Sequence, residues 1–297
     1  MWPDDTRKTL IFVHMFRSGG TTLNRVMDWE YSPNRIFSLN GRYCRWAYKR
    51  LTQLPPSTLA KMQVVRGHMP FGVHRLLPQP STYMTVLRDP VERILAEYFA
   101  GVVRRTHRQH RTIRTLTVAD FVATLANNNA QTKMIAGLSS SYDFLSDPCT
   151  PATLNKAKAN LRDYFSLVGI TERFEETLSL ARCILGWKVP YYASFNSTSR
   201  AGRVVVPEMW SLIGEYNSFD VELYNYAIDI FDKAVARHAT DIASISHSVR
   251  NARLTEGSRL TCYRLASTGL KVFGLASSTA RSVFTRKIGR ASCRERV

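Results

Sequence analysis

No apolar run in the 297 residues approaches the roughly 18 that a bilayer-spanning helix requires, so nothing in the chain reads as a transmembrane segment. Acid is scarce: 23 Asp and Glu stand against 41 Lys and Arg, a formal net charge of +18. An excess of that size points to an anionic cofactor, acceptor or surface and is silent on fold. Cysteine is scarce too. Cys44, Cys149, Cys183, Cys262 and Cys293 form no CxxC pair and have no His at metal-site intervals, so reduced and mostly buried thiols are expected, and no metal. The first apolar run, Leu10 to Met15, is too short for a signal peptide's core and follows an acidic start. The expected placement is therefore cytoplasmic, with a membrane-anchored Golgi-lumen protein as the alternative if the N-terminus is incomplete. Residues 288–297 (IGRASCRERV) read as a translated sequencing-adapter oligonucleotide, and setting aside their three Arg and one Glu still leaves a charge of about +16.

What is present suits a folded enzyme-sized domain. Hydrophobic residues make up 44% and charged residues 22%, so order rather than disorder is expected for most of the chain, and the length allows one large α/β domain or two small ones. Leu10 to Met15 is suited to a buried parallel strand, Phe16 to Gly20 to a turn, and a helix is expected from Thr21 with Leu23, Val26, Met27 and Trp29 on one side. Further helices are expected over 43–54, from Pro90 through Tyr98, from Glu172 to about Trp187 with Thr171 as cap, and over 219–236. Strands are expected at 62–65, 83–87 and 167–170. Strands alternating with helices argue for an α/β fold of P-loop-like form, a central parallel sheet between two helical layers. Residues 5–245 are read as that domain, 246–287 as a basic Ser/Thr-rich tail, and 288–297 as the adapter scar. The tail has eight Lys or Arg against the single acid Glu256; a flexible tail and a helix lying on anionic lipid are both readings of it.

Three segments carry chemistry. In Phe16-Arg17-Ser18-Gly19-Gly20-Thr21-Thr22, paired glycines let the backbone approach an anion, the helix start offers unpaired N–H groups, and Arg17, Thr21 and Thr22 add donors. It is not a Walker A loop, since GxxxxGK[ST] is absent. In Thr85-Val86-Leu87-Arg88-Asp89-Pro90, Arg88 stands beyond a strand's carboxyl end, where open α/β sheets bind ligands, and Asp89 could cap the helix or orient Arg88. In Arg66-Gly67-His68, a His on a loop after a strand suits a general base, because its pKa lies near neutrality. Each segment alone also has a plain reading: an ordinary glycine turn, a capped helix with an ion pair, a polar loop His.

Together, and in this order, the segments resemble the carbohydrate sulfotransferases related to heparan sulfate 2-O-sulfotransferase. Further stretches are similar to that family as well: Ala130-Gln131-Thr132-Lys133 with Gly137, residues 168–176, and residues 222–227. The resemblance implies binding of 3′-phosphoadenosine-5′-phosphosulfate (PAPS) without a metal. It implies that Arg17, Ser18, Gly19, Gly20, Thr21 and Thr22 hold the 5′-phosphosulfate, Arg88 the 3′-phosphate, and that His68 deprotonates an acceptor hydroxyl. Arg17, where the family usually has Lys, would neutralise charge on the leaving oxygen. Ala96 stands where the family usually has Ser, a second 3′-phosphate ligand, and Arg93 and Arg200 are the candidate substitutes.

Between Tyr98 and Ala119 there is no acid, whereas Arg104, Arg105, Arg108, Arg111 and Arg114 occur with His107 and His110. That segment is either a solvated basic stretch or a landing strip for an anionic glycan. The expected partner is a hydroxylated glycan, with peripheral membrane contact through the tail as a further reading. Nothing resembles a helix-turn-helix, zinc or aromatic-basic nucleic-acid signature. Two alternatives stay open: an impaired PAPS-binding protein, on account of Arg17 and Ala96, and a nucleotide-dependent phosphotransferase, for which no Walker Lys is found.

Overall fold

The computed structural model describes residues 8–39, 44–103, 110–123, 128–137, 145, 147–188, 192 and 206–251. In chain order the elements are β1 (Thr9–Val13), α1 (Gly20–Glu30), β2 (Ile36–Leu39), α2 (Cys44–Gln53), α3 (Pro56–Leu59), β3 (Val64–Gly67), β4 (Ser81–Leu87), α4 (Pro90–Val103), α5 (His110–Ile113), α6 (Val118–Val122), α7 (Ala130–Ala136), α8 (Pro151–Tyr164), β5 (Phe165–Ile170), α9 (Phe174–Leu185), α10 (Pro207–Tyr216), α11 (Ser218–Arg237) and α12 (Ala239–Asn251). The five strands form one parallel sheet in the order β2-β3-β1-β4-β5, flanked by helices, as the alternating pattern predicts.

Every residue of β1 is buried, which is why Leu10 to Val13 are apolar without alternation. It lies between β3 and β4, with Ile11 opposite Val65 on one side and Tyr83 on the other. The chain leaves β1 toward β3 and β2 first, then crosses back to β4 and β5. Ligands bind such sheets where the strand order reverses, outside the carboxyl ends. The glycine turn after β1, Gly67-His68 after β3 and Arg88 after β4 all leave the sheet at that edge.

Several elements differ from expectation for local reasons. β2 has only four residues, three of them half-buried, too few to show a period. Pairing with β1 carries β3 through Gly67, two residues beyond the apolar run. Thr171 does not cap the helix that follows: its hydroxyl donates to the Leu87 carbonyl at 2.9 Å, residues Thr171–Arg173 form a 3₁₀ turn, and α9 starts only at Phe174. Asp89 does cap α4, with Oδ1 accepting the Glu92 N–H at 2.9 Å. The last described helix, α12, runs to Asn251. Among the described residues no helix is long and apolar enough to cross a membrane.

Candidate active site

The turn after β1 is shaped to present backbone. Gly19 occupies the N-cap position of the 11-residue α1 with φ +74°, and no side chain caps that end. The first N–H groups of a helix have no intrahelical acceptor, so this terminus is a place for an anion. A Cβ on Gly20 would lie 2.0 Å from Cδ2 of His14 and 2.2 Å from its Nε2, so the buried His14 ring occupies the space a side chain would need. Gly20→Ala is therefore expected to destabilise the fold by about 1–3 kcal/mol through overpacking. It should also weaken anion binding at the turn. A melting temperature equal to wild type would show that the His14 ring is free to yield.

Ser18 is buried with its hydroxyl donating to the Phe16 carbonyl at 3.3 Å, and Thr22 is buried in the first turn of α1. Arg17 has φ +60° and its carbonyl accepts from Nη1 of Arg88 at 3.0 Å. The turns after β1 and β4 are thus joined directly. Arg88 also reaches Glu92 Oε2 at 3.3 Å, and its Nε lies 3.9 Å from Glu172 Oε1, buried and without a hydrogen bond among the described residues. The backbone of Arg88 is held on both sides by Gln131, whose Oε1 accepts the Arg88 N–H at 3.0 Å and whose Nε2 donates to the Arg88 carbonyl at 2.9 Å. Glu172 accepts from the Asp89 N–H and from the Tyr224 hydroxyl at 3.2 and 2.8 Å. The distant stretches around 131, 172 and 224 therefore converge on Arg88.

His68 sits between two rings, Phe16 with centroids 4.4 Å apart and 12° between planes, and His14 at 4.2 Å and 33°. Its Nδ1 lies 2.7 Å from the His14 carbonyl oxygen. A carbonyl oxygen only accepts, so Nδ1 carries the proton and Nε2 of the neutral ring carries the lone pair. Burial lowers the His68 pKa, against opposing effects of the His14 carbonyl and the Glu97 carboxylate, and burial lowers that of His14 further still. Both rings are thereby biased toward the neutral form.

Arg93 faces the interior. Arg93 is 3% exposed, with Nη2 3.9 Å from Oδ2 of the fully buried Asp220, so its charge is directed into the interior. Arg200 lies outside the described residues, as do Arg104, Arg105, His107 and Arg108 of the basic segment, and Cys262, Cys293 and residues 252–297. Arg111 and Arg114 are exposed, while His110 Nδ1 lies 2.7 Å from the Gly101 carbonyl oxygen. Gln131 enters the sequence reading only as part of a family-like stretch, and His14, Glu97 and Asp220 are passed over. Only His14 leaves a trace, a polar residue closing an apolar strand. Among the described residues one trio, Cys183, His238 and Asp241, brings potential metal-ligating atoms within 4.8 Å of one another, but Arg182 lines the cavity beside Cys183 and Asp241 and opposes a second cation there.

Comparison with known proteins gives the family. A family model described as galactose-3-O-sulfotransferase matches residues 21–265. The chain is 27% identical over 280 residues to heparan-sulfate 6-O-sulfotransferase 1-B of Danio rerio, covering 75% of this chain and 66% of the relative. It is 25% identical over 259 residues to galactose-3-O-sulfotransferase 3 of Homo sapiens, covering 79% and 59%. The chain thus spans about two thirds, or less, of the curated relatives it matches. A crystal structure of mouse sulfotransferase SULT7A1 complexed with PAP covers 74% of this chain and 67% of that one at 14% identity and a TM-score of 0.35. The family model and the curated relatives bear out a carbohydrate sulfotransferase family, and the kinship with its 2-O-sulfotransferase branch is not part of what they establish. They overturn the cytoplasmic expectation: sulfotransferases acting on heparan sulfate and galactose are Golgi-lumen enzymes, which fits the alternative placement.

Proposed function

This chain belongs to the galactose-3-O-sulfotransferase family, and we propose that it transfers a sulfuryl group from PAPS to a hydroxyl of a glycan, with His68 as general base. The observation that carries the reading is the Nδ1 contact of His68 with the His14 carbonyl, which leaves a basic Nε2 on the loop that follows β3, at the sheet edge of the glycine turn. The surrounding residues fit a donor with phosphate at two places. The α1 terminus with its side-chain-free Gly19-Gly20 backbone suits one anion, and Arg88, whose buried Nε has no hydrogen bond among the described residues, suits the other.

PAPS, when bound, supplies the activated sulfuryl group. Residues Ser18 to Thr22 would hold its 5′-phosphosulfate through backbone N–H and hydroxyl donors, and Arg88 its 3′-phosphate by a guanidinium fork. His68 Nε2 would take the acceptor hydroxyl's proton as that oxygen attacks. Arg17 would neutralise the charge that grows on the departing oxygen, a stabilisation on the order of 3–4 kcal/mol where one such donor has been removed elsewhere. The exposed Arg111 and Arg114 suit an anionic acceptor.

Calorimetric titration with PAP beside ATP tests the cofactor. Binding of PAP with little for ATP is the expected result, and absence of PAP binding would overturn the reading. Ala96 gives a specific reason to look, since it offers no hydroxyl and Arg93 is committed to Asp220. A missing charge-assisted hydrogen bond costs roughly 1.5–3 kcal/mol, so weak PAP binding with no turnover would favour an impaired binder.

A further inference from the structure

One carboxylate at this site has no part in the account above. Glu97 lies two turns into α4, 18% exposed, with Oε2 3.6 Å from Nε of Arg17, itself 17% exposed. Arg17 also has an unusual backbone: among the described residues only it and Asn129 combine a side chain with positive φ. A non-glycine residue in that region persists only when its surroundings over-determine it. Arg88 does so from the backbone side, through the Arg17 carbonyl, and Glu97 from the side-chain side. Glu97 is also within electrostatic reach of His68 and of the buried Arg93.

We propose that Glu97 is a positioning residue for sulfuryl transfer: its carboxylate pairs with the Arg17 guanidinium on the Nε side and orients it, and it sets the charge environment of His68 from the same turn of α4. The inference rests on the sulfotransferase reading above. Its logic depends on the shape of arginine. A guanidinium is a planar fork whose donors point in fixed directions, so an Arg beside a reacting oxygen must be oriented, and a carboxylate on its Nε side does this. An ammonium has no such fork and needs no such partner. The charged groups that bear on His68 and its neighbour His14 include Arg66 from β3, which acts on His14, and Glu97 from α4, which acts on His68. The Glu97 charge favours the imidazolium of His68.

The test compares Glu97→Gln, Arg17→Lys and the double variant in the full chain, with three readouts: PAP affinity by calorimetry, turnover against pH with a glycan acceptor, and titration of the His68 ring by NMR without substrate. Glu97→Gln is expected to lower kcat by about 10–100-fold, the scale of a slightly misplaced group, with PAP affinity little changed. His68 should titrate at lower pH, because removing the carboxylate removes its support for the protonated ring. The acid limb of the rate profile should move down with it, a shift that a merely structural role for Glu97 would not produce. In the Arg17→Lys background the same substitution should cost much less. Equal costs in both backgrounds, or an unmoved His68 titration, overturn the proposal. A wild-type chain that does not bind PAP removes the sulfotransferase reading first and this inference with it, whereas PAP binding with additive variants overturns the inference alone.

Discussion

Replacing His68 by Ala is expected to lower kcat by about 10²–10⁴-fold, the usual contribution of a positioned general base, while leaving PAP affinity close to wild type. The separation follows from where the ring is held. His68 stands on the loop after β3, fixed by the His14 carbonyl and stacked on Phe16, whereas the proposed anion contacts come from the turns after β1 and β4. Losing the ring removes the proton acceptor without removing an anion donor. The pH dependence has a definite sign. Burial depresses the His68 pKa below the ordinary histidine value, so the base stays unprotonated down to that lower pH. Activity should be present above the depressed pKa and lost as pH falls through it. The acid limb of kcat/KM in the wild type should therefore lie below about 6.5 and should vanish in His68→Ala. A variant that keeps wild-type turnover would mean that another group takes the proton, and His68 would revert to a packing residue.

The second large effect is on stability. Asp220→Ala is expected to destabilise the fold by about 3–5 kcal/mol, the range for breaking a buried ion pair by removing one partner. Asp220 is fully buried on α11, and its carboxylate serves three donors of α7 besides Arg93. Oδ1 accepts the Thr132 N–H at 2.7 Å and the Thr132 hydroxyl at 2.8 Å, and Oδ2 accepts the Gln131 N–H at 3.1 Å. It does for α7 what a capping side chain would do, from 88 residues away in the chain, since Asn129 at the N-cap makes no side-chain cap of its own. Alanine would leave the Arg93 charge and two backbone donors buried without that acceptor. The loss should reach the site, because Gln131 on α7 holds the main chain of Arg88 on both sides. Chemical denaturation gives the stability change, and PAP titration of the surviving folded fraction should show weakened binding. A loss under about 1 kcal/mol, the range of an exposed pair, would mean that water replaces the carboxylate and that α7 is not organised by it.

Much of the site's frame was legible in the chain because it is local. An apolar run followed by glycines and a helix start is one continuous piece of covalent structure, and its proposed role as an anion site rests on the helix terminus whatever packs around it. The same is true of Arg88 at the end of β4 and of Asp89, which caps α4 as its position before Pro90 allows. Thr171 misled for the converse reason. A Thr before a helical pattern reads as a cap, but β4 lies alongside β5, and the Leu87 carbonyl claims the hydroxyl instead.

The sequence by itself determined the parallel α/β sheet, the glycine turn after β1, the arginine beyond β4 and the histidine beyond β3, since each depends on short-range pattern and on groups within a few residues. Only the tertiary structure decided which nitrogen of His68 is the base, that Glu97 reaches Arg17, that Arg93 turns inward to Asp220, and that Gln131 and Glu172 close around Arg88. Those pairings join residues tens of positions apart. A Glu on a helix carries no local mark of the charge it will meet, and its partner is set by which faces are driven together when the apolar surfaces of sheet and helices leave water.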